Sequence, residues 1–299
     1  MLTQLEDAPK DAPVRCERCG ETYGRRSGII NFGVRDSFYD EHGFNRTGRD
    51  FSRNAFGSLL LYLARQHFLF DISRAIPQGS AVVEVGCGGG SCYLASHYDM
   101  LGVEISERAL LNLSRTYPSV IQATVAQVPL TDECVDAVIS SFVLEHLGED
   151  IVCQSLGEMA RVLRPGGRML HFLDLDAHGP FSVWAKKYEW YEPVFVQSKG
   201  HFGLRALKEW QKLFEKSGLA IAATRLSCKS WLQDLSIWGM MSDPPASGVP
   251  RQIGRLAENI RRQFSPAADV IVGALNDLLD PLLPDHWATK AIVTLEKRT

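Results

Sequence analysis

The chain has 299 residues, 45% of them apolar and 22% charged, and its 32 basic and 35 acidic side chains leave a formal net charge of −3. One large domain with at most a small appendage is expected at this length. No run of like charge is longer than a pair such as Arg261-Arg262, so no electrostatic footprint for a nucleic-acid backbone is present. The longest apolar stretch, Ser58 to Ala64, is closed by Arg65 and falls far short of the ~20 residues of a membrane span. A cytoplasmic location is expected. The cysteines number 7, and Cys87, Cys92, Cys134 and Cys153 lie in or beside apolar segments, where reduced thiols pack as small hydrophobes. No disulfide framework is expected.

In chain order, the first 50 residues are rich in Gly, Arg and Asp and hold Cys16-Glu17-Arg18-Cys19. Asn54 to Ile76 carries helical apolar spacing that Pro77 ends. From residue 80 the pattern changes: Ala81–Val85, Met100–Glu104, Val120–Val125, Val135–Ser140 and Arg168–Leu173 read as strands, with helical segments at Ser106–Thr116 and Asp150–Leu163. Strands apolar on both faces and alternating with helices predict a parallel sheet covered on both sides. Leu204–Ser217 reads as a helix closed by Gly218, and Leu219–Leu226 as another strand. Residues 227–288 read as an insertion with two helices, the second capped by Ser265-Pro266 and carrying the stripe Ile271, Ala274, Leu275, Leu278, Leu279. Thr289–Leu295 reads as the last strand.

The chemistry begins at Val82-Val83-Glu84-Val85-Gly86-Cys87-Gly88-Gly89-Gly90, a buried strand running into a glycine-rich turn that opens a helix. Gly86 permits the sharp turn, and Gly88 and Gly90 let backbone amides approach a ligand. A dinucleotide fingerprint would need glycine at 91, where the chain has Ser91. The spacing is E-x-G-x-G-x-G instead. With Glu104 ending the second strand, Val128-Pro129-Leu130 before Val135-Asp136, Phe142-Val143-Leu144-Glu145-His146-Leu147, and Leu163-Arg164-Pro165-Gly166-Gly167, the sequence resembles class I S-adenosylmethionine-dependent methyltransferases of the group acting on small molecules.

That resemblance implies an α/β fold: a doubly wound, seven-stranded, mostly parallel sheet with the last strand antiparallel and a helical insertion before it. It implies a domain over residues 51–299 behind a degenerate zinc-ribbon-like segment over 1–50. S-adenosyl-L-methionine is the implied cofactor. Its implied contacts are Glu84, Gly86, Cys87, Gly88, Gly90, Glu104, Ile105, Thr124, Val125, Ala126, Ser141 and Phe142. Glu104 would accept from the ribose hydroxyls. The family commonly places an acid where this chain has Thr124, so backbone and apolar contacts would have to hold the adenine.

His146 and Asp174 are the candidate catalytic residues, because an imidazole titrates near neutrality and Asp174 follows the fifth strand at the open end of the sheet. Asp176, Tyr188 and His201 are secondary candidates. Six aromatics, Phe181, Trp184, Tyr188, Trp190, Tyr191 and Phe195, either line an acceptor pocket or pack under the insertion, in which case the pocket lies between His146 and His201. The Cys16/Cys19 pair lacks the second pair that tetrahedral zinc requires, and no metal is expected. The N-terminal segment and the insertion are expected to cover the open end. The expected activity is methyl transfer to a small-molecule acceptor. An RNA methyltransferase and a non-catalytic cofactor-binding partner subunit are the alternatives.

Overall fold

The computed structural model describes residues 12–15, 21–26, 29–33, 39, 66–264 and 267–297. Cys16, Cys19, Ser265 and Pro266 lie outside them, as does most of the segment 54–76.

The valine- and isoleucine-rich runs form β4 (Ala81–Val85), β5 (Asp99–Glu104), β6 (Ser119–Gln122), β7 (Val135–Ser141) and β8 (Leu163–Asp174). Helices α1 (His67–Ala75), α2 (Cys92–His97), α3 (Glu107–Leu113) and α4 (Glu149–Val162) cover them. After β8 come α5 (Pro180–Ala185), α6 (Leu207–Lys216) and β9 (Leu219–Ser227). The insertion holds α7 (Leu235–Met240), α8 (Gly248–Phe264) and α9 (Ala267–Leu279), and β10 (Lys290–Lys297) follows it.

The sheet order is β6-β5-β4-β7-β8-β10-β9, with β10 antiparallel to both neighbours. This is the expected seven-stranded arrangement, and three further strands extend it. β1 (Val14–Arg15), β2 (Thr22–Arg26) and β3 (Ile29–Asn31) add to the edge at β6, with Ile30 parallel to Ile121. The extra strands satisfy the open backbone edge of β6, which would otherwise present unpaired amides. Chain order reverses between β4 and β7, so the strands' carboxyl ends diverge there and leave a crevice.

Two apolar cores fill the two faces. One packs α4 and α6 on the sheet through Leu156, Met159, Trp210 and Phe214; the other packs α1, α2 and α3 through Ile72, Leu94, Leu110 and Leu113. Strand β6 is shorter than Val120–Val125, because the chain turns at Thr124, whose carbonyl accepts from the Gln127 amide at 3.1 Å. The insertion contains three described helices where the sequence pattern gave two.

Helix α9 is held to the body by polar contacts. Its stripe points outward, with Ile271 61%, Leu275 42% and Leu278 70% exposed. What faces the body is polar: Asn276 accepts from Ser230 Oγ at 2.7 Å and donates to the Gln233 carbonyl at 3.1 Å. Just beyond the helix, Asp280 accepts from the amides of Cys228 and Lys229 at 2.9 and 2.8 Å. Satisfied buried hydrogen bonds set the helix's rotation here, and hydrophobic patterning does not. No described helix is long and apolar enough to cross a membrane. The described cysteines are unpaired, and Cys92 is exposed where packing was expected.

Phe214 is fully buried and stacks on Trp210 with ring centroids 5.8 Å apart. Phe214→Ala should therefore cost about 3–5 kcal/mol. Urea unfolding checks this through a lowered midpoint at unchanged slope.

Candidate active site

The crevice at the reversal point opens into a cavity of about 1010 Å³. Its floor is the turn between β4 and α2. Gly86, Gly88 and Gly90 sit at φ +63°, +51° and +70°, a region costly for any residue with a Cβ. A Cβ on Gly86 would also lie 2.5 Å from Val143 Cγ2, so the turn packs against the segment that follows β7.

Glu104 holds this turn in place. Its carboxylate accepts from the Gly88 amide at 2.9 Å, the Ile105 amide at 2.8 Å and the Ser106 amide at 3.0 Å. Glu84 is braced by Tyr117, whose hydroxyl donates to the carboxylate and accepts from the Ser91 amide at 3.1 Å. Sequence spacing did not find Tyr117, because it stands 33 residues from Glu84 behind a helix and looks like ordinary core. Burial, with the Glu104 and Glu84 charges beside it, pushes the Cys87 thiol up, so Cys87 stays neutral and is no nucleophile.

Of the expected cofactor residues, Glu84, Gly86, Cys87, Gly88, Gly90, Glu104, Ile105, Thr124, Val125, Ser141 and Phe142 all line the cavity. Ala126 does not: its amide turns back to Thr124 Oγ1 at 3.3 Å, because the chain reverses there. Phe142 takes φ +55°, a strained conformation for a side chain of this size, and its amide donates to the Phe172 carbonyl at 2.8 Å.

The same cavity continues to the ends of β8, β9 and β10. His146, Asp174, Lys199, His201, Arg225 and Lys290 line that part, under Ser236, Ile237 and Met240 of α7 or its neighbourhood. His146 and His201 have ring centroids 4.9 Å apart, and His201 Nε2 stands 3.7 Å from Asp174 Oδ2. Burial pushes both imidazoles down to about 4, so each is neutral at pH 7. Behind Asp174, Glu145 is fully buried and accepts from the Asp174 amide at 3.2 Å; burial, then the Asp174 charge, pushes its carboxyl well up. Arg225 grips Asp71 with two hydrogen bonds of 2.7 Å, and Lys290 is paired with Asp234.

The aromatic run lies elsewhere. Phe181, Trp190 and Phe195 bury themselves against Met241 and Ala246, with Trp184 and Tyr191 packed around them. None of the six lines the cavity, and Tyr188 stacks on Trp190 at 5.2 Å while partly exposed. Asp176 pairs with Lys186. The run is therefore the core under the insertion. Uneven spacing hid this, since the covering helices come 40 to 60 residues later.

Residues 83–171 match the model of a methyltransferase domain family. Over these residues the chain is similar to methyltransferase domains. It is 31% identical over 126 residues to tRNA (carboxymethyluridine(34)-5-O)-methyltransferase of Mus musculus, an overlap covering 41% of this chain and 17% of that enzyme. It is 30% identical over 113 residues to dimethylglycine N-methyltransferase of Parasynechococcus marenigrum, covering 34% and 40% respectively. The chain thus spans less than half the length of these curated relatives. In fold it matches phosphoethanolamine N-methyltransferase 2 of Haemonchus contortus, solved with S-adenosyl-L-methionine, at a TM-score of 0.52 and 15% identity over 93% of this chain and 62% of that one.

The cavity floor would suit S-adenosyl-L-methionine, the ligand of that Haemonchus contortus structure: it offers amides free of Cβ atoms, and two buried carboxylates at the wall with acceptor capacity left. A valine at Gly88 would meet both the positive φ and the ligand's volume. Gly88→Val should abolish binding of S-adenosylmethionine, and Glu104→Ala should weaken it about tenfold or more by loss of charged hydrogen bonds worth ~1.5–3 kcal/mol. Calorimetry on the two variants, with circular dichroism to confirm the fold, is the check.

Proposed function

We propose that the chain transfers a methyl group from S-adenosylmethionine to a small-molecule acceptor seated between His146 and His201, beside Asp174. The observation that carries this is the continuity of one cavity from the glycine turn to those side chains beneath α7. The volume of about 1010 Å³ leaves room for an acceptor beside the cofactor.

S-adenosylmethionine supplies an electrophilic methyl group on a positively charged sulfur. The protein's own contribution is then mainly alignment and exclusion of water, effects that reach ~7–11 kcal/mol where geometry is well held. Glu104 and Tyr117 fix the turn on which the cofactor would rest. α7 and its apolar backing shield the opposite wall. The polar end would orient the acceptor by hydrogen bonds, and its buried imidazoles enter the reaction neutral.

The tRNA-modifying relative favours a second reading, in which the acceptor is an RNA base. The near-neutral charge and the absence of any basic run count against it. Incubation of the chain with methyl-labelled cofactor and, separately, a protein-free small-molecule extract and bulk tRNA distinguishes the readings. Label should appear in the small-molecule fraction. Label confined to tRNA would replace the first reading with the second, and no label in either would leave a cofactor-binding protein without transfer activity.

A further inference from the structure

Two chain segments meet at the polar end of the cavity, and they do so unusually closely. The Gly203 amide donates to the Glu145 carbonyl at 2.8 Å, and a Cβ on Gly203 would lie 2.1 Å from the Leu147 carbonyl oxygen. The turn carrying Glu145 and His146 is thereby locked to the segment carrying His201. His146 Nδ1 lies 3.0 Å from the Gly200 carbonyl oxygen. A carbonyl only accepts, so Nδ1 carries the hydrogen in the neutral ring and Nε2 carries the lone pair.

His201 Nε2 and Asp174 Oδ2 are 3.7 Å apart, too far for a direct hydrogen bond. The gap matches one donor atom placed about 2.8 Å from each, the usual hydrogen-bond length. An amine nitrogen with two hydrogens seated there can donate to both, and a hydroxyl to either one.

We propose that this seat holds the reacting heteroatom of the acceptor, and that His201, with Asp174 as its counter-charge, takes the proton. The substrate class is thereby narrowed to acceptors presenting an O–H or N–H. As the heteroatom–carbon bond forms, the carbon–sulfur bond breaks with its electron pair passing to sulfur, and the acceptor's proton moves to His201 Nε2. The imidazolium so formed lies against Asp174, and its proton is later lost to water. This assignment rests on the small-molecule reading and adds a catalytic residue to it.

Geometry favours His201 over His146 in this role. The Asp174 charge raises the proton affinity of His146, and the neighbouring His201 lowers it more. His201 Nε2 has Asp174 Oδ2 at 3.7 Å, while His146 Nδ1 is turned to the Gly200 carbonyl. Burial pushes the carboxyl of Glu145, from the turn below, well up, which disfavours a second negative charge beside Asp174. Lys290 on β10 is paired with Asp234, and it also interacts with the Asp174 charge. Lys199 stands two residues before His201 and opposes its protonation at rest. Tyr39 approaches His146 edge-on at 6.5 Å.

The test uses the full chain with ¹⁵N-labelled histidine, so that it needs no acceptor. Asp174→Asn should lower the NMR titration midpoint of His201 by about one pH unit or more, the usual effect of removing an adjacent opposite charge, and move that of His146 less. An unmoved His201 midpoint overturns the pairing. In the labelled-methyl assay on the small-molecule extract, His201→Asn should cut the rate about 100-fold or more at unchanged affinity for S-adenosylhomocysteine. The residual rate should climb about tenfold per pH unit, because the acceptor must then ionise in water, and His146→Asn should lose less. A His201→Asn rate within about threefold of the parent contradicts the proposal, since a positioned base contributes far more. If the parent chain labels no small molecule, the functional reading falls, and the titration still decides the histidine–carboxylate pair by itself.

Discussion

Three backbone amides converging on one carboxylate organise the ligand-binding end of this molecule. Glu104 closes β5, and from there it draws in the Gly88 amide across the sheet and the two amides that start the next helix. Hydrogen bonds to an ionised group are the strong kind, roughly twice the neutral ones, and this one is largely shielded from water. The same contact fixes the position of the glycine turn, the start of α3 and the cavity wall. Tyr117 does a parallel service for Glu84, and both carboxylates line the same cavity.

The opposite end of the cavity is built by a different logic. There the sheet contributes Asp174, Arg225 and Lys290 from β8, β9 and β10, and the insertion contributes the cover. Arg225 and Lys290 each have a carboxylate behind them, which lets charged groups stay in a mostly enclosed space. Helix α7 can serve as cover because its Ile237, Trp238 and Met240 also pack on a cluster of aromatic rings. An aromatic-rich segment therefore stiffens the wall of the site without entering it.

The sheet and the turn were legible in the sequence because their constraints are local. Two-sided apolar strands, glycines at the positive-φ positions of the turn after β4, and an acid at the end of the second strand are all visible in consecutive residues. Thr124 and Val125 line the cavity, while Ala126 does not, because its amide turns back to the Thr124 side chain where the chain reverses. What was not legible depends on distant partners. Tyr117, Glu145 and Lys290 acquire their roles from residues 33, 29 and 56 positions away. The orientation of α9 was not legible because hydrophobic periodicity gives a stripe but not the direction it faces, and Asn276 together with Asp280 beyond the helix decides that. The extra edge strands could not be read from composition, since residues 14–31 carry too little apolar periodicity to announce pairing with β6.

The central claim is that the cofactor rests on the turn pinned by Glu104 and that the cavity extends from there to His201. Hydrogen–deuterium exchange on the full chain, with and without S-adenosylhomocysteine, tests it directly. Added ligand should slow exchange in the peptides covering Glu84 to Ser91, Glu104 to Ser106 and Ser141 to Val143, and leave the aromatic cluster from Phe181 to Phe195 unchanged. Protection confined to the aromatic cluster or to the outward face of α9, with the glycine turn unaffected, would contradict the account.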